Sequence, residues 1–206
     1  MSILTDRVPD CVEIDGRRYD INTDFRIGIR LEMAILEEKL SESLLFDYYP
    51  KNMPPDANAA IERLMWFYRC GEDEGKGQGG GGRSGRGYDF EQDSDALYTS
   101  FMVAYGIDLA TADLHWWVFR KLMWGLPPET PFMQRVHYRM ADISDMSKAE
   151  QKRYRKMKAA FALRRTAKEK LTLEERNQKM KDYVAKRLSE AQRDKAQETE
   201  VPELEK

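Results

Sequence analysis

The side chains best able to do chemistry in this chain are few and poorly grouped. His115 and His137 are the only histidines, and neither has a second histidine, a cysteine or an acid three or four residues away in a metal-ligand pattern. Asp113 stands near enough in sequence to orient the His115 imidazole, but no serine or cysteine nucleophile accompanies the pair, so catalysis through it is not expected. The alternating acids Asp89, Glu91, Asp93 and Asp95 resemble a calcium loop only superficially, because its glycine turn and closing glutamate are missing. They read better as negative charge gathered at a helix start. Gly75, Gly77 and Gly80 satisfy G-x-G-x-x-G, yet a helix rather than a strand leads into that stretch, and Gly75-Lys76 lacks the Ser or Thr that would hold magnesium. Cys11 and Cys70 are far apart and outside any Cys-x-x-Cys spacing, so both read as reduced small hydrophobes. The expectation is a protein with no catalytic residues, no metal and no cofactor.

What remains are candidate binding surfaces. Leu114 to Trp124 is the densest aromatic segment, and on a helix Trp116, Phe119 and Met123 share one direction while Trp117 points about 100° away from Trp116. A helix apolar over more than half its circumference is either sandwiched in a core or offers one side to a partner. Trp116 is expected inward and Trp117 at the edge of a groove, with Trp117, Arg120 and Trp124 joining Trp116, Phe119 and Met123 as partner-binding candidates. From Lys148 to Lys170 there are ten bases and two acids. Tyr154, Met157, Ala160 and Phe161 give that segment an apolar stripe, so it is expected to dock with a basic outer face, on which Arg153 and Lys156 are further candidates. Arg83 and Arg86 among glycines resemble an RNA-binding Arg-Gly segment, but without its many repeats and interleaved aromatics.

The elements that must position these residues follow from spacing and punctuation. Val12, Ile14, Arg17, Tyr19 and Ile21 alternate about Asp15-Gly16, a pair suited to a tight type I′ turn, which predicts an N-terminal β-hairpin. Asn22 or Thr23 is the expected cap of a long helix with Phe25, Ile29, Met33, Leu36, Leu40 and Leu44 on one stripe, ending before Tyr48. Pro54-Pro55-Asp56 opens a second helix through Tyr68. Further helices are predicted over 91–105 with Gly106 as C-cap, over 112–123 opened by Asp108 or Thr111, and after Thr130. Ser147 with Glu150, and Thr172 with Glu175, have capping-box spacing. The fold class is therefore mainly α: a helical bundle with a short N-terminal hairpin and a charged C-terminal helical arm.

Charge and glycine divide the chain. Residues Ser147 to Lys206 carry 18 Lys and Arg against 11 Asp and Glu, whereas the preceding residues carry 16 against 25. The overall charge of −2 thus hides an acidic body and a basic arm. Nine of the 13 glycines fall between Gly71 and Gly87. The expected organisation is a hairpin plus two helices over 1–70, a flexible glycine-rich linker over 71–87, an aromatic helical portion over 88–146, and a basic helix with a charged arm over 147–206. No secretory signal and no membrane span is read, so the expected location is the cytoplasm of the cell that makes it.

Several segments together resemble one family, the bacteriophage "gene product fifteen" proteins of tail gene clusters. They are Val12 to Gly16, Ile21-Asn22-Thr23-Asp24-Phe25-Arg26, Tyr88 to Asp93, Tyr105 to Leu109, Leu114-His115-Trp116-Trp117-Val118-Phe119-Arg120, Gly125-Leu126-Pro127, Thr130 to Met133 and Lys152 to Lys156. The glycine-rich stretch and the chain beyond Arg165 depart from the resemblance. It implies a tail assembly chaperone that binds the tape measure protein and keeps it soluble until the tube forms in the bacterial host's cytoplasm. The tail tube protein and self-association are further expected contacts; a membrane is not. A structural component retained in the tail is the second reading. Nucleic-acid binding through the basic helix and the Arg/Gly loop ranks third.

Overall fold

The computed structural model describes residues 3–37, 39, 41–72 and 86–164, and the following account concerns those residues. Readings that fall on Arg83, most of the glycine stretch, Leu40, the Thr172 capping box and the C-terminal arm lie outside them.

The chain begins with an antiparallel hairpin, β1 (Cys11–Ile14) and β2 (Arg17–Asp20), in which Cys11 faces Asp20 and Ile14 faces Arg17. Its turn needs two residues in the left-handed region, and Asp15 (φ 50°) and Gly16 (φ 72°) supply them. Val12 and Ile14 point inward, so the alternation lays one face of this small sheet on the helices that stabilise it.

Seven helices follow: α1 (Phe25–Leu36), α2 (Glu42–Tyr48), α3 (Ala57–Tyr68), α4 (Ser94–Tyr105), α5 (Trp116–Trp124), α6 (Pro131–Met140) and α7 (Lys148–Ala160). The architecture is mainly helical with an N-terminal hairpin, as the pattern of periods predicts. Buried side chains from the hairpin through α6 form one continuous core, running from Val12 and Ile14 to Phe132 and Val136.

The single helix expected over 25–47 is broken. α1 ends where the Lys39 amide donates to the Ala34 carbonyl, five residues back, and α2 starts again after Ser41. Its buried face is Phe25, Ile27, Gly28, Leu31 and Glu32, while Ile29 and Met33 are half-buried. Apolar periodicity misses that face because two of its members, Gly28 and Glu32, are not apolar. The cap also moves: Asp24, rather than Asn22 or Thr23, accepts from the Arg26 amide at 2.7 Å.

Two other expected boundaries shift. α5 starts at Trp116 because residues 114–116 run extended beside residues 23–25; the Phe25 amide donates to Leu114 at 3.0 Å and the Trp116 amide to Thr23 at 2.7 Å. An extended backbone cannot continue a helix from Ala112. Arg86 and Gly87, placed in the linker by composition, belong to the body. Arg86 pairs with Asp89 at 2.9 Å and donates to the Arg164 carbonyl at 2.8 Å, and a Cβ on Gly87 would sit 3.2 Å from Met140. The Ser147 capping box forms as read, with the Ser147 amide donating to Glu150 at 3.0 Å.

Candidate functional site

The two consecutive tryptophans of α5 are structural. A helix leaves its last carbonyls without intrahelical partners. The indole N–H of Trp116 donates to Tyr68 at 2.9 Å and that of Trp117 to Phe67 at 2.7 Å, so the pair closes the C-terminal end of α3. Trp116 is fully buried and Trp117 is 5% exposed, which leaves neither at the edge of an open groove. Phe119 stacks between Phe25 at 4.7 Å and Phe101 at 5.3 Å, and Met123 is also fully buried. Arg120 turns inward, lying 5.3 Å over the Trp116 ring and pairing with Glu32 at 3.4 Å. Of the aromatic candidates only Trp124 is exposed, its ring edge-on to Tyr88. Arg153 and Lys156 are exposed on the separate helix α7.

His115 explains why the tryptophans sit where they do. Its Nδ1 accepts from the Trp117 amide at 3.0 Å, capping α5, and its Nε2 lies 3.0 Å from the Pro9 carbonyl. Both contacts are met by the neutral ring carrying its proton on Nε2. Burial pushes the His115 pKa below its ordinary value, against smaller opposing effects of the Pro9 carbonyl and Asp10. A group with a depressed folded pKa whose unfolded form is the better base contributes stability above the unfolded value of 6.5, and that contribution is lost as pH falls. We therefore expect the thermal midpoint to fall on acidification from pH 7.5 to 5.5, and His115→Asn, which keeps a capping acceptor, to flatten that profile. His115→Ala should cost about 1 kcal/mol at pH 7.5 as a lost cap. Parallel profiles for wild type and His115→Asn would show that the ring does not titrate in this way.

Two polar clusters lie inside the fold. Glu32 is 9% exposed and accepts from Tyr68 at 3.0 Å as well as from Arg120. Burial raises the Glu32 pKa, opposed in turn by Tyr88, Arg120 and Tyr68. Asp93 is the second centre, accepting from Arg139, from Arg135 at 3.1 Å and from the Asp89 amide at 3.1 Å. Each cluster ties separate elements together. Among the described residues no group of three or more His, Cys, Asp or Glu is placed to hold a metal ion.

The open surfaces lie elsewhere. A cleft of about 560 Å³ between the hairpin and α3 is lined by Cys11, Glu13, Asp15, Arg63 and Trp66 among others. Burial raises the Cys11 thiol pKa, outweighing Arg18, so the thiolate is disfavoured there. A second groove of about 490 Å³ runs between α1, α4 and the loop after α4. Phe25, Ile29, Phe90, Leu97, Tyr98 and Leu109 give it an apolar lining. Its loop wall is pinned by Arg26, which pairs with Asp24 at 3.0 Å and donates to the carbonyls of Leu109 at 2.8 Å and Ala110 at 3.1 Å. Beyond the groove α4 also exposes Met102, 38% accessible, and Val103, 74% accessible. Helical spacing places Tyr98 and Met102 one turn apart on one face.

Sequence reasoning missed this surface although it left a signal. Ala96, Leu97, Phe101 and Ala104 already account for the core face of α4, so Tyr98, Met102 and Val103 are apolar residues left over on the opposite side.

Comparison with known proteins gives one family. The model of the bacteriophage Gp15 protein family matches residues 4–163, most of the chain, and the chain belongs to that family. No curated protein and no solved structure matches it. Arg26, His115 and the two tryptophans thus fall within the matched region, as do both polar clusters. Among the described residues no helix is long and apolar enough to cross a membrane.

Proposed function

We propose that this bacteriophage protein is a non-catalytic tail assembly chaperone that holds an apolar helical segment of the tape measure protein until the tail tube forms. The observation supporting this reading is the groove between α1 and α4 with the exposed Tyr98, Met102 and Val103 of α4. An apolar groove with exposed apolar residues beside it is where a partner's apolar face is expected to dock on an assembly factor. The groove's walls are held in place by the Arg26 hydrogen bonds and by the stack of Phe25 on Phe119. A preformed surface of this kind loses little conformational freedom on binding. The bacterial host's cytoplasm, where tails are assembled, is the proposed location.

The test is co-expression with the tape measure protein of the same phage. Wild type should bring that partner into the soluble fraction. M102E/V103E alters only exposed positions, so it should leave the thermal midpoint nearly unchanged while weakening binding by ~2 kcal/mol, about thirtyfold. A partner that stays insoluble with wild type, or is rescued equally by the variant, would overturn the proposal. Mass spectrometry of purified virions separates it from a component retained in the tail, since a chaperone should be absent from particles.

A further inference from the structure

α7 has two unlike sides. Tyr154, Met157 and Phe161 are half-buried; Tyr138 packs against Tyr154 at 5.2 Å and against Phe161 at 6.1 Å between ring centroids. The opposite side carries Lys148, Lys152, Arg153, Arg155 and Lys156, all exposed. Lys148, Lys152 and Lys156 recur every four residues, so their Cα atoms climb the helix in steps of about 6 Å and drift only slightly round it. Arg155 and Arg153 flank that ridge on either side.

Nothing on the helix neutralises this charge. Its one acid, Glu150, is engaged by Ser147 in the capping box. Among the described residues Lys148, Lys152, Arg153 and Lys156 form no ion pair, and Arg155 meets only the Gln151 side chain at 3.1 Å. Lys158, on the flank, faces Asp142. Five exposed cations within about 12 Å along a 13-residue helix form a continuous positive surface.

The make-up of the face decides between classes of polyanion. A protein partner would seek an apolar or aromatic centre, because such residues dominate the binding energy of protein interfaces. This face offers only Ala149, Ala159 and Ala160 besides its bases, since the aromatic residues of α7 are turned inward. Nucleic-acid backbones are held by a row of cations with little apolar contact. The residues before Ser147 hold 16 bases against 25 acids, which disfavours a polyanion over the body. Screening over ~8 Å at physiological salt lets the local field of α7 act independently of that repulsion.

We propose that the outer face of α7 binds the phosphate backbone of nucleic acid without sequence preference, a function separate from the apolar groove. It changes the rank that the sequence assigns to nucleic acid as a partner. The docking stripe, which counted against nucleic acid, and the basic ridge occupy opposite sides of one helix.

The test uses the full chain and fluorescence anisotropy with a labelled mixed-sequence 30-nucleotide DNA, single-stranded and duplex, from 50 to 200 mM salt. Wild type should bind at the lower salt, with affinity falling linearly in log–log form. K152Q/R153Q/K156Q should lower affinity at least tenfold and reduce the salt slope by about three, roughly one per residue. Its thermal midpoint should match wild type, because all three side chains are exposed. R17Q/R63Q/K121Q, which removes the same charge from exposed positions elsewhere, should bind as wild type does. Absence of wild-type binding at 50 mM salt, an unchanged slope in the α7 variant, or an equal loss in the control variant would overturn the proposal. Displacement of DNA by polyglutamate at equal charge concentration would also overturn it, in favour of an acidic protein partner.

Discussion

Gly28→Ala should destabilise this protein by about 3 kcal/mol, the reverse of what glycine removal does in an open helix. At an exposed helical position alanine gains about 1 kcal/mol over glycine. At Gly28 the added Cβ would stand 2.7 Å from Cε2 of the Trp116 indole and closer still to Cδ2 and Cε3. The ring cannot easily withdraw: it stacks with Phe119 at 5.8 Å and with Tyr68 at 5.8 Å, and its N–H is tethered to the Tyr68 carbonyl. Overpacking of a filled core costs ~1–3 kcal/mol or more, and the immobility of this ring places the effect at the upper end. For a domain of this size the thermal midpoint should fall by about 10 °C.

A double-mutant cycle checks the cause. Trp116→Ala alone should cost about 3–5 kcal/mol through the cavity it leaves. If the indole is what the added methyl group would strike, Gly28→Ala should add little further loss on the Trp116→Ala background, giving a coupling of at least 1 kcal/mol. Strict additivity would place the strain in the α1 backbone instead.

The same contact shows how much of the fold was legible. Local chemistry announced itself: Asp15-Gly16 made the turn, Gly106 adopted φ 66° as the C-cap of α4, and Ser147 and Glu150 formed their capping box. Each depends on neighbours within a few residues. Features set by distant partners were hidden. The start of α5 depends on strand-like pairing with residues 23–25, and the inward turn of Trp117 depends on carbonyls at the end of α3. A stripe of aromatics fixes the angle between two tryptophans but says nothing about which helix end they must satisfy. The groove was hidden for another reason: its lining is assembled from α1, α4 and the 107–110 loop, which are remote in sequence.

Asp93 was equally illegible, and the second large effect is expected there. Within the run of acids its sequence reads as an exposed helix-start charge, a place that Asp95 takes in the first turn of α4, while Asp89 accepts from the Glu91 and Gln92 amides of the preceding turn. The Asp93 side chain is 1% exposed and is held by Arg139, itself 6% exposed, and by Arg135. Arg139 also donates to the carbonyls of Gly87 and Phe161, so this one carboxylate fixes the guanidinium that joins the start of the 86–93 segment to the exit from α7.

Removing one partner of a buried pair strands the other charge, at a cost of about 3–5 kcal/mol. Asp93→Ala should therefore cost about that much, a large share of the ~5–15 kcal/mol that stabilises a typical domain. Asp93→Asn, which keeps one acceptor oxygen, should cost less and remain folded. In that variant hydrogen exchange should quicken at residues 87–92 and 161–164 while the hairpin stays protected. Burial pushes the Asp93 carboxyl up, but bonds from Arg139, the Asp89 amide and Arg135 outweigh it and hold the pKa below the ordinary 3.8. Its contribution is thus present above 3.8 and lost as pH falls through the lower folded value. Asp93→Asn should remove that part of the acid sensitivity. A loss under 1 kcal/mol in Asp93→Ala would show that α4, α6 and the segment after α7 are held by apolar packing alone, with the two arginines able to find solvent.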